Sequence, residues 1–184
     1  MLYTLNGNYP TQIPFRIKLS DGRTRTDPTT FTAEELIDAG YTEVADPPSY
    51  NPSYQTLGWD GVDWTITDYS VESVKESRKS ELKNIRYVQE ISHPTIDTSR
   101  ESQAMINGIW SASQINPALV VNYKGKTGWV QLDATAINYV ANQVVAHVQA
   151  CFDNEKVLSD LIDAATTQLD VLSVDLQAGW PTYE

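Results

Sequence analysis

The sequence predicts an α+β chain in three parts. A small β-rich N-terminal domain spans 1–67, a long helical connector spans 68–96, and a C-terminal helix–β-hairpin–long-helix module spans 97–184. Three observations carry this. Ile13 to Leu19 (IPFRIKL) alternates apolar and polar residues, the period of a half-buried strand. Residues 68–92 hold no glycine or proline and are rich in strong helix formers. Residues 116–134 (NPALVVNYKGKTGWVQLDA) read as two short strands around a Gly-rich loop, and a long run with apolar residues three and four apart follows.

In the first part, Ser20-Asp21-Gly22 reads as a turn and Arg23 to Thr26 as the returning strand. Thr32 is placed to cap a short helix, with Glu35 three residues on and Gly40 where a C′ glycine belongs. The stretch DPPSYNPSY is excluded from a central strand, because proline donates no ladder hydrogen bond. Residues 56–67 (TLGWDGVDWTIT) read as a hairpin. Asp60-Gly61 is expected to form its two-residue type I′ turn, with Trp59 and Trp64 on the two arms.

In the second part, Val71, Val74, Leu82, Ile85, Val88 and Ile91 are expected to form an apolar stripe. Arg78 interrupts it where a heptad wants a hydrophobe, which argues against a simple coiled coil. His93-Pro94 ends the helix, since the residue before proline avoids the α region. In the third part, Asp97, Thr98 and Ser99 are cap candidates for a helix over 102–113. That helix contains Gly108, which is expected to admit a closely packed neighbour. Met105, Ile106 and Trp110 are expected to cover the hairpin, with strands at 119–123 and 129–132 and a loop at 124–128. Asp133 is expected to cap the long helix, whose apolar positions are Ile137, Val140, Val144, Val145, Val148, Cys151 and Phe152. An irregularity is expected at Asp153-Asn154. Val157, Leu158, Leu161, Ile162, Leu169 and Leu172 continue the pattern, and Gly179-Trp180-Pro181 stops it.

Composition narrows the function classes. The chain has 184 residues and a formal net charge of −11, which sets it against phosphate backbones and so against nonspecific nucleic-acid binding. The bunched cations from Lys75 to Arg86 read as a solvated helix face with Glu partners. One cysteine, Cys151, leaves no intrachain disulfide. Met1-Leu2-Tyr3 lacks a signal-peptide pattern, and the apolar runs are far shorter than the roughly 20 residues of a membrane span. A soluble chain made in the cytosol is the expectation. Ten Tyr and five Trp against three Phe suit half-buried sheets and interfaces better than a dry core. The interface candidates are Trp59, Trp64, Tyr50, Tyr54, Trp129 and Trp180.

No catalytic constellation emerges. His93 reads as a helix-end cap and His147 as a satisfied helix histidine, with no ligand spacing between them. Cys151 falls on an apolar stripe, where cysteine acts as a small hydrophobe. Lys124-Gly125-Lys126-Thr127-Gly128 lacks the glycine order of a phosphate loop and runs into a strand, not a helix. Asp60, Asp63 and Asp68 read as solvated turn carboxylates, off any EF-hand spacing. No cofactor, metal or small-molecule substrate is implied, and the expectation is a protein that is not an enzyme.

Two stretches carry a resemblance. Residues 31–68 (FTAEELIDAGYTEVADPPSYNPSYQTLGWDGVDWTITD) resemble the N-terminal segments of small tail proteins of tailed phages and prophages. Tyr69 to Pro181 resembles an uncharacterised domain of tail and tail-fibre-region proteins of tailed bacteriophages. It does so through SRKSELKNIR, DTSRESQAMI, the WVQLDA strand end, HVQACF and the terminal GWP. The resemblance implies a virion or virion-assembly setting and carries over no catalytic residue. The leading expectation is a non-enzymatic structural component of a phage tail, at the baseplate or fibre attachment. It would bind other tail proteins and its own copies and reside in the virion after synthesis in the bacterial cytoplasm. The alternative is a tail-fibre assembly chaperone absent from the mature particle. A polysaccharide-degrading enzyme is a third reading, and it lacks a recognisable carboxylate pair.

Overall fold

A computed structural model describes residues 1–183 and has the α+β architecture expected. It divides into two compact units, Met1–Ser70 and the part from Val71 onward.

The first unit consists of three two-stranded antiparallel ribbons and a short helix. β1 (Leu2–Leu5) pairs with β4 (Tyr41–Val44), β2 (Arg16–Lys18) with β3 (Thr24–Thr26), and β5 (Gln55–Trp59) with β6 (Trp64–Asp68). The alternation in IPFRIKL holds only at its end: Ile17 and Leu19 are buried while Arg16 and Lys18 are exposed, but Phe15 is 66% exposed and lies before the strand. Helix α1 (Ala33–Asp38) has both halves of its capping box, Thr32 to the Glu35 amide and Glu35 back to the Thr32 amide. Gly40 follows in the left-handed region at φ 84°. A two-stranded ribbon is marginal by itself, so side chains must join them. Trp59 Nε1 donates to Gly7 O at 3.0 Å, and Trp64 Nε1 donates to Ala45 O at 2.9 Å.

The Trp hairpin differs from expectation in its turn. Trp59 pairs with Trp64, which leaves four residues, Asp60 to Asp63, in the loop. Asp60 keeps negative φ; only Gly61 is positive, at 104°. The Asp60 carboxylate accepts from the amides of Val62 (2.9 Å) and Asp63 (2.8 Å). This side-chain capping replaces a type I′ backbone.

In the second unit, α2 (Val71–Glu90) lies along α4 (Ala134–Ala164), and α3 (Arg100–Ile115) and the hairpin β7 (Val120–Gly125)–β8 (Gly128–Asp133) pack on the first half of α4. The stretch expected to stand as a connector at 68–96 is therefore built into the second unit: Val71 to Glu90 is one wall of its core. The buried face of α2 is only partly the apolar stripe. Val74, Leu82, Arg86 and Glu90 are buried, whereas Val88 is 58% exposed. Arg78, read as an interruption, donates from Nη2 to Val174 O at 2.7 Å and so ties the helix to the chain end.

α4 runs 31 residues without a break, about 46 Å at 1.5 Å per residue. Asn154 causes no irregularity. Its side-chain amide donates outward to Ala178 O at 2.9 Å, leaving the helix ladder intact. A separate helix, α5 (Gln168–Ser173), follows behind a capping box of Thr167 and Asp170. It buries Val171 fully while Leu169 is exposed. The core of the hairpin region is Ile106, Tyr123, Leu132, Ile137, Ala141 and Val144. Ile106 thus does what was expected of it. Met105 is half exposed, and a Cβ on Gly108 would meet nothing within 4 Å, so no close neighbour explains that glycine. The hairpin strands are longer than expected: Gly125 pairs with Gly128, leaving only Lys126-Thr127 as the turn. Among the described residues no helix is long and apolar enough to cross a membrane.

Candidate functional site

The polar chemistry of the second unit concentrates where the end of α2, the loop at 91–99 and the middle of α4 meet. Ser99 caps α3, accepting from the Ser102 amide at 3.4 Å. Asp97 accepts from the Ser102 hydroxyl (2.7 Å) and the Ser99 amide (3.0 Å), and these bonds hold its carboxyl below the usual range. Thr98, fully buried, donates its hydroxyl to Glu90 O at 2.6 Å. The segment DTSRES is therefore a joint that fastens α3 to the end of α2.

Beneath it lies a buried ion network. Arg86 is paired with Glu90 one turn on, and its Nε donates to Glu155 Oε2 of α4 at 3.1 Å. Gln103 Nε2 of α3 donates to Glu90 Oε1 at 3.0 Å, and the Arg86 guanidinium lies 4.5 Å over the Phe152 ring. Two charges taken from water need this many partners to be tolerated.

The two histidines lie beside this network. His147 Nε2 faces Glu90 O at 2.9 Å and Gln89 O at 3.0 Å. Carbonyls only accept, so Nε2 carries the proton and Nδ1 accepts from the Tyr183 hydroxyl. His93 is held in the same tautomer by its loop: Nδ1 accepts from the Ile96 amide at 3.1 Å, which leaves the proton on Nε2. Burial first, then His147 and Lys126, lowers the His93 pKa from its ordinary 6.5. Lys126, in the hairpin turn, donates to His93 O at 2.7 Å and Ile91 O at 3.3 Å, closing the carbonyl end of α2.

Cys151 Sγ is 4.0 Å from His147 Nε2, but that nitrogen already donates to carbonyls and is no base for a thiol. Burial, reinforced by the Glu90 charge, pushes the thiol up to about 11. An activated cysteine needs the reverse. The cluster is a satisfied structural network, with a cavity of about 240 Å³ on its hairpin side.

The interface candidates fall in different settings. Trp59 and Trp64 form a T-shaped cross-strand pair with centroids 5.3 Å apart. Tyr9 meets Trp64 edge-on at 5.4 Å, so these indoles are half-buried joints inside the first unit. Tyr54 is half-buried and its carbonyl accepts from the Tyr69 amide at 2.7 Å, while Tyr50 is exposed in an irregular segment. Trp180 is corrected: it is 8% exposed, its Nε1 donates to Leu176 O at 2.8 Å, and it belongs to the core. Gly179, at φ 78°, turns it inward. Trp129 is 71% exposed on the outer face of the hairpin, across from Lys124, whose ammonium lies 5.9 Å from the ring.

The pairing of His93 with His147, and of both with Tyr183, has no signal in the sequence. It depends on the antiparallel register of α2 on α4, which only the assembled helices define.

This arrangement defines a mixed α+β module in which a hairpin and a capped helix close over one half of a long helix and a second helix covers the other. The chain belongs to the family of the domain of unknown function DUF4376, whose model matches residues 73–176, more than half of its length. No curated protein and no solved structure matches it.

Proposed function

We propose that the protein is a non-enzymatic assembly component of a bacteriophage tail, acting through protein–protein contacts at the baseplate or the fibre attachment. The observation that carries the assembly reading is Trp129. A tryptophan that is 71% exposed, beside Lys124 and on the same hairpin face as Val120 at 57% exposure, is apolar surface left in water. Tryptophan is also the residue class most enriched at binding hot spots. The phage setting rests on the resemblance of residues 31–68 and of Tyr69 to Pro181 to tail proteins.

Mass spectrometry of purified particles of the encoding phage tests this, with copy number measured against the tail-tube protein. A fixed symmetric stoichiometry is the expected result. Absence from mature particles with abundance in infected lysate would replace it with a fibre-assembly chaperone. Trp129→Ala is expected to leave the thermal midpoint of the isolated chain within about 1–2 °C, since exposed substitutions change stability by no more than about 0.5 kcal/mol. Its incorporation into particles should fall at least tenfold.

A further inference from the structure

Charge is spread unevenly along the second unit. From Ser102 to Phe152 the only charged residues are Lys124, Lys126 and Asp133, in a chain that is 20% charged. The first half of α4, Ala134 to Phe152, has none, whereas Asp153, Glu155, Lys156, Asp160 and Asp163 crowd the second half. The inner side of the uncharged half is accounted for, because Ile137, Ala141 and Val144 are buried in the hairpin core. The outer side is not covered. Tyr139 and Val145 are each 64% exposed, and Asn142, Ala146, Gln149 and Phe152 are exposed with them. Exposed helix faces carry charged and polar side chains. A face that lacks charge and keeps its aromatics has the composition of an interface core.

This face is complementary to itself when reversed. Positions 139, 142, 145, 146, 149 and 152 recur at threes and fours and form one stripe about 20 Å long. A second α4 laid antiparallel, with a two-fold axis between Val145 and Ala146, brings Tyr139 against Phe152, Asn142 against Gln149 and Val145 against Ala146. Each contact occurs twice, as an isologous interface requires. Gln149 donates from Nε2 to Asp153 at 2.8 Å, which leaves its Oε1 to accept from the Asn142 amide of the second copy. The small side chain of Ala146 lies next to the axis, where the two backbones come closest.

Charge sets the direction. A parallel pair would place Asp153 against its own copy and Asp160 against its own copy. In the antiparallel pair these carboxylates run past the N-terminal end of the other α4, where the helix dipole is positive.

We propose that the protein dimerises through this face, α4 on α4, antiparallel, about an axis between Val145 and Ala146. The outer face of the hairpin, with Trp129, is not part of the contact. The dimer forms from the isolated chain, so it stands or falls separately from the tail reading, which the particle measurement decides.

Sedimentation equilibrium of the full chain from micromolar to millimolar concentration is expected to fit a monomer–dimer equilibrium. Ala146→Glu sets two carboxylates close to each other beside the axis and should weaken the dimer by more than about tenfold. Its circular dichroism should stay unchanged, because the position is exposed in the monomer. Ala146→Cys should give a disulfide-linked dimer under copper phenanthroline and air, whereas the unaltered chain, whose Cys151 is buried, should not. If the glutamate variant loses its fold, the cysteine variant decides. Asn142→Asp combined with Gln149→Lys tests the direction: opposite charges meet in the antiparallel pair and like charges in a parallel one, so this variant should still dimerise. The proposal is overturned by a monomer at every concentration, by a dimer that Ala146→Glu leaves intact, by an Ala146→Cys chain that does not cross-link, or by a dimer that the double variant dissolves.

Discussion

The rings of His93 and His147 meet edge to face inside the second unit, centroids 5.2 Å apart, and the Tyr183 ring lies 4.4 Å from His93. One ring comes from the loop after α2 and the other from the middle of α4, so the contact reports directly on whether those elements are docked.

It makes the fold acid-sensitive. His93 is kept neutral in the native state, with a pKa below the 6.5 it has when free. The unfolded chain therefore binds more protons between that lowered value and 6.5, and stability rises with pH across the window. The stabilisation is complete above about 6.5 and is lost as pH falls through the native value. Urea midpoints at pH 7.5 and 5.5 should show the decline, and His93→Asn should flatten it. An unchanged slope in that variant would assign the acid sensitivity elsewhere. Asp97, with its lowered pKa, acts only at pH values in the carboxylate range, well below this window.

The Arg86–Glu90 pair is expected to be costly to break and cheap to replace. Arg86→Met leaves Glu90 charged and buried, at a cost of about 3–5 kcal/mol. Arg86→Met with Glu90→Gln removes both charges and keeps an acceptor for Gln103, and it should regain more than half of that loss. Denaturant unfolding of the three proteins decides it; a double variant no better than the single would mean the charges themselves are needed.

Gly108 and Gly179 should respond oppositely to alanine. Gly108 sits in α3 with open space around its Cβ position, so Gly108→Ala should stabilise by about 0.5–1 kcal/mol. Gly179 has φ 78°, and a Cβ there would collide with the Asn154 side chain. Gly179→Ala should therefore cost at least the roughly 1–2 kcal/mol of a left-handed backbone. It should also disturb the Trp180 environment, visible as a shift in tryptophan fluorescence.

Ile137 and Met105 provide a packing contrast. Ile137 is fully buried at the centre of the hairpin core, and Ile137→Ala should cost about 2–5 kcal/mol. Met105, half exposed, should lose no more than about 0.5 kcal/mol on the same change. Equal losses at the two positions would contradict the assignment of α3's buried face.

What the sequence by itself determined is whatever depends on neighbours a few residues away. The capping of α1 by Thr32 and Glu35, the start of α4 at Asp133, the turn at Gly40 and the end of α2 before His93-Pro94 all belong here. Each is closed by hydrogen bonds or steric limits within about one turn of chain. The tertiary structure decided which faces are inside. Arg86 and Glu90 look like solvated charges in a helix of mixed sign, yet they are buried, because Glu155 and Gln103 arrive from α4 and α3 to satisfy them. Trp180 looks like a surface aromatic after a helix, yet it is core, because Gly179 turns the chain back onto α4. His147 reads correctly as a satisfied helix histidine, whereas the ring of His93, read as a helix-end cap, accepts from the Ile96 amide of its own loop; their contact and the cavity next to it exist only in the register of α2 on α4. Local patterns fix backbone geometry, whereas the cost of burying a charge or exposing an indole is set by partners that the chain supplies from far along its length.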